Sequence, residues 1–346
     1  MRMETTAKQS REELVARKVK ITGILDQAID IFEKDGREDR VEIFRQLKED
    51  FVNEEYSIIV VGEFSAGKST MLNALMGKRI LTSYSSETTA TVNFLRHKEA
   101  AKGGEEGRVF YVDGSEESIP AVSKEVIERY VSMKGDNVAK RIKRVDLYLD
   151  SDFLKDRVSI IDSPGLNGVA DGHREITEDQ ILKSHACIFL FTAEKGGGTK
   201  SEFEFLSAVQ NQVKTIFFVI NKIDTIKFEE EETVETVVEK LKQNYKTVFP
   251  ELNQIKVPEI WPISAGDALR ARDPQGTASN LTLEEQQKLE EKSRMGAFEA
   301  RLMRFLSRGE KTRGILLDPL YRVQNVAKTA RDEYNQEMEL LQGKTD

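Results

Sequence analysis

The chain of 346 residues has one cysteine, Cys187, which excludes a disulfide framework and any zinc site built on several thiolates. It has three histidines (His97, His173 and His185), too few for a histidine-rich metal centre. Seven prolines and 22 glycines rule out collagen-like and proline-rich sequence. No apolar run approaches the roughly 20 residues of a membrane-spanning helix. The start, MRMETTAKQSREEL, lacks the apolar segment of a secretory signal, so a reducing cytoplasm is the expected address. Positive charge is also short: the net charge is −8, against a duplex nucleic-acid binder. What is present is a charge-rich globular composition, 39% hydrophobic and 32% charged, long enough for about two domains.

The organisation changes along the chain. Residues 11–52 read as helix, with Leu14, Ile21, Leu25, Ala28 and Phe32 on one face, a break at Asp35-Gly36-Arg37, and a second pattern through Val41, Phe44, Leu47 and Phe51. From residue 56, short β-branched runs alternate with helical stretches. The expected strands are 56–61, 91–96, 108–112, 144–149, 157–161, 186–191, 215–220 and 259–263. Helices are expected at 68–76, 123–133, 200–210 and 231–246. This alternation predicts an α/β fold with a mostly parallel sheet and helices on both faces. The glycine-rich stretch 98–107 reads as the loop of an antiparallel hairpin, and the polar stretch 270–295 as a surface insertion. At 315–341, Leu316, Leu320, Val323, Ala327, Ala330, Tyr334 and Leu341 follow a four-three spacing, a seam suited to a partner helix. The expected domains are N-terminal helices over 1–53, an α/β domain over 54–310 and a C-terminal helix over 311–346. The N-terminal helices are the expected partner of the last, burying Leu25, Phe32, Leu320, Val323 and Tyr334.

The chemistry concentrates in a few places. Gly62-Glu63-Phe64-Ser65-Ala66-Gly67-Lys68-Ser69 matches G-x-x-x-x-G-K-[ST] between an apolar strand and a helix. The glycines let backbone wrap a phosphate chain, and successive N–H groups and the helix N-terminus face its charge. Lys68 would reach the β- and γ-phosphates, and the Ser69 hydroxyl would ligate Mg²⁺. Thr70 completes the motif's end. Asp162-Ser163-Pro164-Gly165 follows the strand 158–161, where Asp162 can hold Mg²⁺, usually through water, while the Gly165 N–H meets the γ-phosphate. A second D-x-x-G, Asp273 to Gly276, has no strand before it and is set aside.

Asn221-Lys222-Ile223-Asp224 follows the strand 215–220. A carboxylate there accepts two parallel hydrogen bonds from guanine, whereas adenine would leave it unsatisfied. Lys222 can cover the base, and Ser264-Ala265-Gly266 would approach the guanine carbonyl through backbone N–H. A threonine is also needed to close over Mg²⁺ and the γ-phosphate. Thr88, Thr89 and Thr91 are available, and Thr89 is chosen because a strand begins just after it.

Together these residues resemble the dynamin superfamily of large GTPases, in its bacterial dynamin-like branch. The resemblance rests on G-E-F-S-A-G-K-S-T at 62–70, T-T-A around Thr89, I-I-D-S-P-G-L-N-G-V at 160–169, H-R-E-I-T at 173–177, N-K-I-D, and the late S-A. The helical flanks suit the neck that such proteins build from both ends of the GTPase domain.

The resemblance implies GTP and GDP as ligands, Mg²⁺, and hydrolysis completed when two GTPase domains meet face to face. It also implies a monovalent cation, K⁺ or Na⁺, at Ser65, and Phe64 stands where a polar residue is often found. It implies a peripheral membrane association and membrane remodelling through parts not recognisable here, and no nucleic-acid partner. Ser65, Lys68, Thr89 and Gly165 are thus the expected catalytic positions. The alternatives are a GTPase switch of the ribosome-assembly type, a membrane ATPase of the Eps15-homology-domain kind, and a catalytically silent scaffold.

Overall fold

The computed structural model describes residues 2–53, 55–81, 92–122, 126, 130, 142–163, 173–195, 198–226, 232–250, 258–273, 280–307 and 310–342. For 2–15, 173–176 and a few positions of the last helix it describes only the backbone. The expected threonines 88, 89 and 91, Gly165 and most of the expected helix 123–133 lie outside the described residues. The chain divides into two units, Tyr56–Arg308 and a helical unit of Met1–Glu55 with Gly309–Asp346.

Among the described residues, the larger unit is built on one nine-stranded sheet. Its strands are β1 (Tyr56–Gly62), β2 (Asn93–His97), β3 (Gly107–Tyr111), β4 (Glu116–Ile119), β5 (Ile142–Leu149), β6 (Val158–Asp162), β7 (Ala186–Thr192), β8 (Thr215–Asn221) and β9 (Ile260–Pro262). Their order is β4-β3-β5-β2-β6-β1-β7-β8-β9. The run β6-β1-β7-β8-β9 is parallel throughout, as is β2 with β5; β2–β6, β3–β4 and β3–β5 are antiparallel.

Strands β1 and β7 are buried along their whole length. That is why they read as unbroken apolar runs, the pattern of a sheet covered on both faces. On one face Ile59, Val61, Phe189, Phe191, Phe218 and Ile220 pack with Phe203 and Leu206 of helix Lys200–Gln212 and with Val237 and Leu241 of helix Val234–Val248. On the other, Phe217 meets Phe298 and Phe305 edge-on, at 6.4 and 5.2 Å, and Tyr56 lies 5.8 Å from Phe305. Each such side chain taken wholly out of water contributes about 1.5–3 kcal/mol.

The helices are α1 (Arg2–Lys34), α2 (Glu38–Asn53), α3 (Lys68–Met76), α4 (His173–Leu182), α5 (Lys200–Gln212), α6 (Val234–Val248), α7 (Ala265–Arg272), α8 (Leu283–Ser293), α9 (Met295–Ser307) and α10 (Glu310–Gln342). Within the helical unit, α1 packs on α2 and both pack on α10. Leu25, Val41 and Phe44 are fully enclosed, and Phe32 stacks on Phe44 at 5.7 Å. Arg37 and Arg40 both reach Glu333, at 2.7 and 2.9 Å. Tyr334 differs from the expectation. It is 42% exposed, and its hydroxyl donates to Asp35 instead of entering the seam. Leu320 and Val323 are half-buried.

Three further features depart from the sequence reading. Strands β2 and β3 do not form a hairpin: β5 lies between them, with Leu147 opposite both Leu95 and Gly107. Strand β4 was not expected. The stretch 270–295 is exposed along α8, but Ala271, Asp273, Ser293 and Met295 at its ends are buried.

Candidate functional site

Because β1, β6, β7, β8 and β9 run parallel, their carboxyl ends share one edge of the sheet, where ligands of open α/β sheets bind. The phosphate loop follows β1, Asp162-Ser163 ends β6, Ala193–Lys195 follows β7, Asn221–Asp224 ends β8 and Ser264 follows β9.

The loop's glycines answer to close neighbours. A Cβ on Gly62 would lie 2.7 Å from the Leu190 carbonyl of β7. Gly67 has φ +90°, and a Cβ there would strike the Asn221 amide. Between them Ser65 is also left-handed, at φ 61°, a conformation that costs a non-glycine residue about 1–3 kcal/mol. It is exposed at the mouth of the loop, while Ala66 is buried. Phe64 is half-buried.

Lys68 opens α3 and is buried. Its ammonium donates to the carbonyls of Gly62 and Glu63, at 3.2 and 3.3 Å. Burial pulls it down to about 8, opposed by Asp162. Asp162 is driven up to about 6 by burial, opposed by Lys68 and by the Ser69 hydroxyl, which donates to its Oδ2 at 2.9 Å. Its Oδ1 is buried with no hydrogen-bond partner. A buried carboxylate oxygen left open, beside a serine hydroxyl, is a hard-oxygen donor set that fits Mg²⁺. Among the described residues no three His, Cys, Asp or Glu gather into a metal cage. Thr70 lies in the first turn of α3, half-buried.

Asn221 joins the two halves of the edge. It is 2% exposed; its Nδ2 donates to the Ala66 carbonyl at 2.8 Å, and its Oδ1 accepts from the Ala265 N–H at 3.0 Å. Ile223 N–H reaches the Ile263 carbonyl at 3.2 Å. The next residue of the motif, Lys222, is left-handed (φ 64°), and its ammonium lies 3.0 Å from Glu194. Asp224 is exposed at the same edge. The N–H groups of Ser264 and Ala265 were expected to meet the base. Here they are engaged by the Ser293 carbonyl and by Asn221. The Ser264 hydroxyl caps α7 through the Asp267 N–H at 3.1 Å. Asp273 of the discarded motif is paired with Arg79 at 2.7 Å.

Several residues escaped the sequence reading. Asn73 of α3 accepts from the N–H groups of Ile80 and Leu81, at 2.9 and 2.8 Å, and donates to the Leu81 carbonyl, fixing the chain that leaves α3. The Ser163 hydroxyl donates to the Val60 carbonyl at 2.6 Å, tying β6 to β1. Glu63, expected to serve through its backbone, has a buried carboxylate gripped by Lys195, Thr199 and Ser201. No local pattern signals that grip, because the motif leaves position 63 free and the partners lie more than a hundred residues on.

Residues 58–224 match the dynamin family. Among curated relatives, a probable transmembrane GTPase of Arabidopsis thaliana chloroplasts, described as FZO-like, is 27% identical over 221 residues, covering 64% of this chain and 20% of its own length. Dynamin-like protein 1 of Campylobacter jejuni is 24% identical over 300 residues, covering 77% of this chain and 39% of its own. A solved structure of an oligomerised bacterial dynamin pair, presented as a mechanism for long-range sensing and tethering of membranes, shares the fold. It has a TM-score of 0.55 and 21% identity, over 95% of this chain and 49% of the other. The chain thus spans well under two thirds of the length of these relatives. The dynamin match over residues 58–224 runs through the loop after β1, Asp162 and Asn221–Asp224, which share one sheet edge, so this segment of the chain is similar to the dynamin family, with bacterial dynamin-like proteins among its relatives.

Proposed function

We propose that this chain is a GTP-hydrolysing large GTPase of the dynamin type, which pairs through its GTPase domains and acts on membranes as part of a cytoplasmic, peripherally bound protein. The observation that carries the reading is the Ser69–Asp162 contact beside buried Lys68, on the same edge as Asn221 and Asp224. Lys68 would exchange its two loop carbonyls for β- and γ-phosphate oxygens. That exchange is favourable because burial already disfavours the ammonium without an anion. Ser69, with Asp162 through water and Thr89 from outside the described residues, would hold Mg²⁺, which neutralises charge on the phosphate oxygens. Asp224 would read guanine, with the Lys222 stem over the base. Ser65 would hold K⁺ or Na⁺ near the β–γ bridge, and its exposure at the loop mouth leaves it open to solvent ions. Gly165 would meet the γ-phosphate. The neck would be α1, α2 and α10. Among the described residues no helix is long and apolar enough to cross a membrane.

The test compares GTP with ATP for the purified chain, by binding and by phosphate release. GTP is expected to bind far better, and Asp224→Asn to weaken guanine binding and favour xanthine nucleotides. Equal affinity for ATP and GTP in the unmodified chain would overturn the reading.

A further inference from the structure

The phosphate loop is bound to the rest of the unit by more than its motif. Glu63, the first residue after Gly62, is 5% exposed. Its Oε2 pairs with the Lys195 ammonium, and its Oε1 accepts from the hydroxyls of Ser201, at 2.7 Å, and Thr199, at 3.1 Å. All three partners come from the chain that leaves β7. That chain is itself built to hold position. Gly198 has φ +93°, and a Cβ there would lie 2.8 Å from the Phe203 ring. Thr199 and Glu202 form a reciprocal cap on α5, in which the Thr199 N–H donates to Glu202 at 2.8 Å. Glu202 is wholly buried, and burial raises its carboxyl against the hydrogen bonds from Thr199. Lys195, with 38% of its side chain exposed, is the cation paired with the buried Glu63 carboxylate.

One strand end thus grips the loop at two successive residues. The Leu190 carbonyl leaves room only for glycine at 62, and Lys195 holds the side chain of 63. Two residues further on stands Ser65 in its left-handed conformation. Glu63 is buried, so removing its counter-ion would leave an uncompensated charge, which is costly. The Glu63 side chain is engaged by Lys195, Thr199 and Ser201, whereas Lys68 donates to the main-chain carbonyls of Gly62 and Glu63.

We propose that Glu63 is a positioning residue with Lys195 as its counter-ion, setting the path of the phosphate loop at Ser65 for hydrolysis and not for nucleotide affinity. The proposal rests on the GTPase reading above. Catalytic geometry is more sensitive than binding to a small shift, because a displacement of about 1 Å can cost about a hundredfold in rate. The phosphates, by contrast, are held by many N–H groups and by Lys68.

The experiment uses the full chain and measures three quantities: kcat for GTP, Kd for fluorescently labelled GDP, and the melting temperature. Lys195→Met orphans the Glu63 carboxylate, and kcat is expected to fall about tenfold or more while the GDP Kd moves less than about threefold. Lys195→Arg is expected to restore most of the rate. Glu63→Gln keeps an acceptor for Ser201 and Thr199 and should lose less, about three- to fivefold. In the double variant Glu63→Gln/Lys195→Met the orphaned charge is gone, so its kcat should return to that of Glu63→Gln alone.

The proposal is overturned if Lys195→Met hydrolyses GTP within about twofold of the unmodified chain. It is also overturned if the two single losses multiply in the double variant, or if GDP affinity falls in step with kcat. Failure of the GTPase reading looks different: the unmodified chain itself would then neither bind GDP nor release phosphate from GTP.

Discussion

Asn221→Ala separates what Asn221 does for the protein from what it does for a nucleotide. The side chain is 2% exposed and spans two backbone groups, the Ala66 carbonyl at 2.8 Å and the Ala265 N–H at 3.0 Å. Truncation removes both hydrogen bonds and leaves two buried backbone groups unpaired. An unmet buried group costs about 1–3 kcal/mol, so the pair comes to about 2–5 kcal/mol once partial relaxation is allowed. Against a total stability of about 5–15 kcal/mol this is a large fraction. Trp261 is the only tryptophan and sits in β9, three residues before Ser264, so its fluorescence follows the unfolding of this edge. Urea unfolding in EDTA, without nucleotide, is the assay. A midpoint shift equivalent to about 2–5 kcal/mol is expected at unchanged slope. A loss under about 1 kcal/mol, the size of an ordinary surface substitution, would refute the reasoning.

Other outcomes follow from the same geometry. Lys68→Ala should abolish GTP hydrolysis, measured as phosphate release; turnover that survives would refute the phosphate-loop assignment. Specific activity should rise with protein concentration and with K⁺ or Na⁺, and flat activity across both would refute pairing and the cation role at Ser65. Asp50, buried in α2, has its carboxyl raised by desolvation to about 6, partly relieved by Gln46 at 2.9 Å. A raised carboxyl contributes stability that is present below 3.8 and lost as pH rises through about 6. Asp50→Asn should therefore stabilise the helical unit by up to about 3 kcal/mol at pH 7.5, the gain fading as pH falls toward 4; circular dichroism melts at both pH values check it, and a gain that does not change with pH would refute it.

How much of this was legible depends on how local each signal was. Strands β1 and β7 were plain because burial on both faces leaves unbroken apolar runs. Strand β4 was missed because it is an edge strand whose Glu116, Glu117 and Ser118 face solvent, leaving Ile119 alone to mark a core face. The hairpin reading failed because β2 and β3 are neighbours in sequence only. Both pair with β5, whose partners lie 52 residues on from β2 and 31–40 on from β3, and nothing local announces that choice. The four-three spacing of α10 did mark a stripe, but not which of its members find a partner. Ala330 is buried, whereas Tyr334 lies level with the α1–α2 turn, where its hydroxyl reaches Asp35.

The site shows the same division. The phosphate loop and N-K-I-D were readable because each ties a residue type to a backbone conformation within a few residues. What binds them to each other was not readable. Gly67 is usually explained by the ligand, since a side chain would crowd the phosphates. In this chain a second reason acts without any ligand: the Asn221 amide occupies the space a Cβ would need. Gly62 is constrained likewise by the Leu190 carbonyl, and Glu63 by the chain after β7. The two motifs therefore specify each other. An asparagine at 221 requires a glycine at 67, and the contact between them carries on through Ala265 to the other side of the edge. A change at either motif is felt at both, so altered base preference after a substitution in the phosphate loop would follow from this frame and need no direct contact with the base.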